Sequence, residues 1–95
     1  MHVMIRCHDN QGSASLRQNN RPEHLDYLRS LGPKLAFAGP LLDSEGGSIG
    51  SLLIVDVDGI DAANELADGD PFAKVGVFAS REVVPVKPVI GTWLD

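Results

Sequence analysis

Residues 20–32, Asn-Arg-Pro-Glu-His-Leu-Asp-Tyr-Leu-Arg-Ser-Leu-Gly, carry the marks of both ends of a helix. Asn20 fits the N-cap, Pro22 the first turn, where a missing N–H is harmless, and Glu23 the capping-box position. Leu25, Leu28 and Leu31 recur at helical spacing and predict a stripe that lies on a core. Gly32 stops the helix, with Pro33 behind it. The stripe obliges the rest of the chain to supply an apolar surface. His24 lies one turn before Leu28 on the same side, so its ring points toward the protein. A titratable ring at the rim of a core is a candidate for chemistry.

That surface is legible as strands. Residues 2–8 alternate, with Val3, Ile5 and Cys7 on one side and His2, Met4, Arg6 and His8 on the other. Residues 9–19 are polar, contain Gly12, and read as a connection that reshapes the mouth of any pocket beside it. Residues 34–42 form a second strand, bent or ended by Gly39-Pro40. Residues 43–48, Asp-Ser-Glu-Gly-Gly-Ser, make a hairpin loop. Residues 51–57 form a third strand, and a second helix over 60–67 is capped by Asp58. Its Ala62, Ala63, Leu66 and Ala67 allow close approach to a sheet. Asp70 caps a short turn over 71–75. Residues 78–89 end the fold as an edge strand, given Pro85 and Pro88, and residues 91–95 are a tail with the single Trp93. With right-handed crossovers, strand–helix–strand–strand–helix–strand is an α+β, ferredoxin-like βαββαβ sandwich with an antiparallel sheet, a single domain over 1–95.

Both helices of such a fold cover one sheet face. Yet the third strand is apolar on both sides, Leu53, Val55 and Val57 against Leu52 and Ile54. A large exposed apolar face is unusual for a monomer, so a homodimer packed through the open sheet face is expected. A net charge of −5 with no basic cluster argues against nucleic acid. No apolar run approaches the ~20 residues of a membrane span, and no signal-peptide pattern opens the chain. Cys7 has no internal disulfide partner, and a cytoplasmic location is the default.

The helix Arg21-Pro22-Glu23-His24-Leu25-Asp26-Tyr27-Leu28, the segment Ala38-Gly39-Pro40-Leu41 and Asp70-Pro71-Phe72 together resemble the YCII (YciI-like) family, in the right order and over nearly the whole chain. The resemblance implies the dimeric α/β-barrel type of the ferredoxin-like fold. It also implies a shared histidine and aspartate, His24 and Asp70 here, and chemistry without a cofactor. Some family members act on chlorinated hydroquinones or resemble muconolactone isomerases.

The residues support that chemistry on their own terms. A carboxylate beside an imidazole fixes its tautomer and orients it as a general acid or base. Such a pair suits proton abstraction next to a carbonyl, lactone isomerisation or HX elimination. Asp70 before Pro71 is also an obvious helix cap, a role that alone would account for it. Arg6 is expected to bind a substrate carboxylate or enolate oxygen, and Ser44 to add a hydrogen bond. Tyr27 lines the pocket or packs with Leu31. Pro40 and Phe72 complete the expected substrate-binding set. His2, His8 and His24 with Asp9 lack paired-ligand spacing, so no metal is expected. Cys7 is expected to be buried and inert. The glycine-rich 46–50 lacks the lysine of a phosphate loop. The sequence therefore reads as a cofactor-free lyase or isomerase of a small aromatic or lactone-like metabolite. Its alternatives are a non-catalytic small-molecule binding or accessory module, and an interaction protein using the sheet face.

Overall fold

The computed structural model describes residues 1–92, and Trp93 with the end of the expected tail lies outside them. The elements are β1 (His2–Asp9), α1 (Ala14–Ser30), β2 (Leu35–Leu42), β3 (Ser48–Asp56), α2 (Ile60–Asp68), α3 (Pro71–Val75) and β4 (Phe78–Val86), with a 3-10 turn at Gly32–Lys34. The sheet is wholly antiparallel in the order β2-β3-β1-β4. This is the α+β, ferredoxin-like arrangement that the order of periodicities predicts.

The register follows from burial. Val3, Ile5 and Cys7 of β1 face the helices, with Leu53 and Val55 of β3 beside them, and all five are buried. They form one core with Leu28 of α1 and Ala63, Leu66 and Ala67 of α2. Ala63 and Ala67 of α2 are among the small side chains buried against the sheet. Burying each large aliphatic side chain contributes about 1.5–3 kcal/mol. Met4, Leu52, Ile54 and Val84 lie on the opposite face, where registry also places Phe37. No helix of the described residues covers that face.

Several boundaries differ from expectation, among them the last strand, which ends at Val86 rather than at 89, just before Pro88. Helix α1 starts six residues before Asn20, at Ala14, so residues 14–19 are not a connection. Asn20 is not a cap; its side-chain amide donates to the Leu16 carbonyl inside the helix. Pro22 is interior, and the helix lacks one rung because proline cannot donate to the carbonyl four residues back. Gly59 rather than Asp58 stands at the N-cap of α2, with no side-chain cap bond. Strand β2 runs on through Gly39-Pro40, which is tolerated because β2 is an edge strand. Strand β3 begins at Ser48 because the hairpin loop is tight. Asp43 Oδ1 accepts from the Glu45 and Gly47 amides, and Gly46 takes the left-handed φ of 86°.

Candidate active site

Helix α1 packs mainly on α3, and beneath it, against β2 and β3, lies a cavity of about 460 Å³. Leu25, Leu28, Ala38, Leu53 and Phe72 supply apolar wall, and Arg17, Arg21, His24, Ser48 and Ser51 the polar groups. That size and lining suit a small organic molecule.

The sequence Asp70-Pro71-Phe72 builds one wall. Asp70 is the N-cap of α3, its Oδ1 accepting the Phe72 amide at 2.9 Å. Pro71 occupies the first helical position, and Gly76 ends the helix in the left-handed region at φ 88°. The cap fixes the carboxylate, and the same Oδ1 meets Nδ1 of His24 at 2.7 Å. The two side chains are 9% and 5% exposed. The Phe72 ring lies flat against the imidazole, centroids 3.8 Å apart and planes 5° from parallel. Phe78 closes on Phe72 edge-on at 6.0 Å. The imidazole is thus clamped by a hydrogen bond and a stack.

A carboxylate can only accept, so the proton of the neutral ring sits on Nδ1 and Nε2 keeps its lone pair. Nε2 has no partner within the described chain, and no fully buried side-chain nitrogen or oxygen there lacks one, so Nε2 is reached by solvent. The pair exposes a basic nitrogen at the cavity wall. The negative charge of Asp70 is felt around it. Burial first, and then that charge, pushes the Tyr27 phenol above its ordinary value.

A second polar cluster lies beside Phe72. Arg17 donates from Nε and Nη2 to the two oxygens of Asp9, and from Nη2 also to the Gly50 carbonyl (2.6 Å) and Ser51 Oγ (2.9 Å). Its Cζ lies 5.0 Å from the Phe72 centroid. The guanidinium therefore ties the end of β1, the start of α1 and β3 together at the cavity.

Of the residues expected from sequence, His24, Asp70 and Phe72 come together here, and Pro40 lines the cavity from β2. Arg6 does not join them. It projects from the bare sheet face toward Glu82, 3.9 Å away, because the alternation that buries Val3 and Ile5 turns Arg6 away from the helices. Ser44 is exposed at the tip of the hairpin and lines no part of the cavity. Tyr27 packs against the core beside Leu31 and donates to the Leu66 carbonyl at 2.6 Å, outside the cavity wall. Cys7 is 3% exposed and burial pushes its thiol up to about 11, as expected of an inert core residue.

The family model described as the YCII-related domain matches residues 1–87. The chain belongs to the YCII family. Protein YciI of Escherichia coli O6:H1 is 34% identical over 97 residues, covering 94% of this chain and 99% of that protein. Among solved structures, the chain is similar to 5-chloro-2-hydroxyhydroquinone dehydrochlorinase, TftG, of Burkholderia phenoliruptrix AC1100, in complex with 2,5-dihydroxybenzoquinone. That match has a TM-score of 0.85 and 34% identity, over 92% of this chain and 94% of TftG. A structure from Bacteriodes thetaiotaomicron VPI-5482 shares the fold at TM-score 0.60 and 16% identity, over 97% of this chain and 91% of that one. The neighbours agree with a dimeric α/β-barrel type of fold.

Sequence reading does not find Arg17, Arg21, Ser48 or Ser51. Arg17 and Arg21 fall four apart, and His24 three further on, which is one face of a helix. That spacing was the available signal, hidden because the first of the three lay in a stretch read as a loop.

Proposed function

We propose that this protein is an enzyme that transfers a proton on a small aromatic or lactone-like metabolite. His24 is its general base and Asp70 orients the ring. The observation that supports this most is the 2.7 Å bond between His24 Nδ1 and Asp70 Oδ1 in a buried pair. It leaves Nε2 as the nitrogen that takes the proton. The electron pair released from the substrate O–H or C–H either shifts a double bond or expels a leaving group such as chloride. Asp70 stabilises the imidazolium that forms, which returns the proton in an isomerisation or loses it to water after an elimination. None of these steps requires a cofactor. TftG is a dehydrochlorinase, which is an elimination of this kind, and supports an aromatic substrate here.

The test is turnover of 5-chloro-2-hydroxyhydroquinone, halogenated phenols and small lactones by the wild type and His24→Ala. Ligand binding is measured alongside by NMR. Loss of a general base costs about 10²–10⁴-fold in rate, with binding retained. A second reading has its own observation: Asp70 Oδ1 already serves α3 as its cap. Binding by a wild type that turns over none of the panel favours a ligand-binding or accessory module of the same fold.

The proposed partner is a second copy of the chain. Met4, Leu52, Ile54, Phe37 and Val84 share the open face, with Phe37 47% and Val84 44% exposed. Light scattering at micromolar concentration is expected to give the mass of two chains; the mass of one refutes the dimer.

A further inference from the structure

We infer that the cavity selects an organic anion, an aromatic or enolic molecule carrying a carboxylate or phenolate oxygen, and that Arg21 is the residue that selects its charge. The inference rests on the cavity being the ligand site, and not on the proton-transfer role of His24. The chain as a whole is acidic, with 13 Asp and Glu against 8 Lys and Arg. Its cavity wall is lined differently. Two arginines and a histidine line it, and no aspartate or glutamate does. Asp9 neutralises Arg17 and Asp70 lies behind His24, so the field that a cleft with apolar walls concentrates on an anionic ligand is that of Arg21.

The two arginines have different tasks. Arg17 is neutralised by the Asp9 fork, and its Nε and Nη2 are fully engaged. Its Nη1 has no hydrogen-bond partner within the described residues and is the donor left to it. Arg21 is exposed at the rim and makes no ion pair or hydrogen bond within the described residues, so it holds the uncompensated charge. Arg17, Arg21 and His24 succeed one another at spacings of four and three on α1, which puts neighbouring Cβ atoms roughly 5–6 Å apart. An anionic oxygen held by the arginines therefore places an attached ring within reach of His24. Phe72, Leu25, Leu28 and Leu53 supply the apolar wall for that ring.

The experiment compares matched ligands that differ in charge: benzoate against benzamide, and 4-nitrophenolate against 4-nitrobenzyl alcohol, in mildly alkaline buffer. Binding is read by NMR, with the ring signals of His24, or of Phe72 in the His24→Gln variant, reporting the site. The anionic member of at least one pair is expected to bind up to about fivefold tighter, the scale of one solvent-exposed ion pair. The pair that shows it identifies carboxylate or phenolate as the source. Arg21→Gln is expected to abolish the preference and leave the neutral ligands unchanged, and added salt to weaken it. His24→Gln is expected to preserve it. Equal or tighter binding of the neutral member in both pairs, no saturable binding of either anion at millimolar concentration, or a preference that survives Arg21→Gln overturns the inference. Turnover without a charge preference removes this inference alone; a preference without turnover of any substrate removes the catalytic reading alone.

Discussion

Asp70 is the residue whose replacement separates structure from charge. Its Oδ1 serves two donors, the Phe72 amide at 2.9 Å and His24 Nδ1 at 2.7 Å, and the residue is 3% exposed. In Asp70→Ala the lost cap costs about 1 kcal/mol. The His24 N–H, left buried without a partner, costs a further 1–3 kcal/mol or so. The sum is about 2–4 kcal/mol. At about 4–8 °C per kcal/mol for a domain of this size, Tm falls by roughly 8–32 °C. Asp70→Asn keeps an acceptor oxygen and a good N-cap, so it loses only the charge assistance of the histidine bond, about 1 kcal/mol. Urea denaturation followed by circular dichroism at neutral pH measures both. A cost below 1 kcal/mol for the alanine variant, or an asparagine variant as unstable as alanine, refutes the two-bond account.

Other expectations test the surroundings of the site. A Cβ at Gly50 would collide with the Cys7 carbonyl across the β1–β3 ladder, so Gly50→Ala is expected to destabilise by about 2 kcal/mol or more and to shift the carbonyl that holds Arg17; thermal melting checks it. Asp9→Asn leaves the Arg17 charge largely buried, which typically costs about 3–5 kcal/mol. The Gly50 and Ser51 contacts that remain place the expected loss at the lower end, measurable by urea denaturation. Burial lifts the Cys7 thiol from 9.0 to about 11, so the unfolded chain releases its proton first as pH rises. Its contribution to stability is complete below pH 9.0 and disappears between there and about 11. Iodoacetamide in neutral buffer is accordingly expected to modify Cys7 only as fast as the protein unfolds.

The sheet was legible because its strands obey period two and bury one face: Val3, Ile5 and Cys7 in β1 could be assigned before any coordinate. The short helix α3 was legible because Asp-Pro-Phe states a cap, a first position and an apolar anchor in three residues. The first turns of α1 were not. Hydrophobic periodicity finds helices that face a core, and the inward side of this one begins with Arg17, Arg21 and His24 because it faces a cavity. The rule failed where the helix lines the candidate site, which is where sequence rules and site requirements conflict. Arg6 shows the converse. Its alternation with Val3 and Ile5 places it away from the helices, although the chemistry of its side chain suits an anionic substrate. The Asp9–Arg17 fork was invisible because it joins a strand end to a helix start through a side-chain geometry that no short motif encodes.

The central claim is that Asp70 holds the Nδ1 proton of His24 and leaves Nε2 basic at the cavity. Long-range proton–nitrogen correlation NMR of ¹⁵N-labelled protein reads this directly in the neutral ring. The account predicts a protonated Nδ1 and a bare Nε2 for His24. A His24 ring carrying its proton on Nε2, or exchanging freely between tautomers, would contradict it.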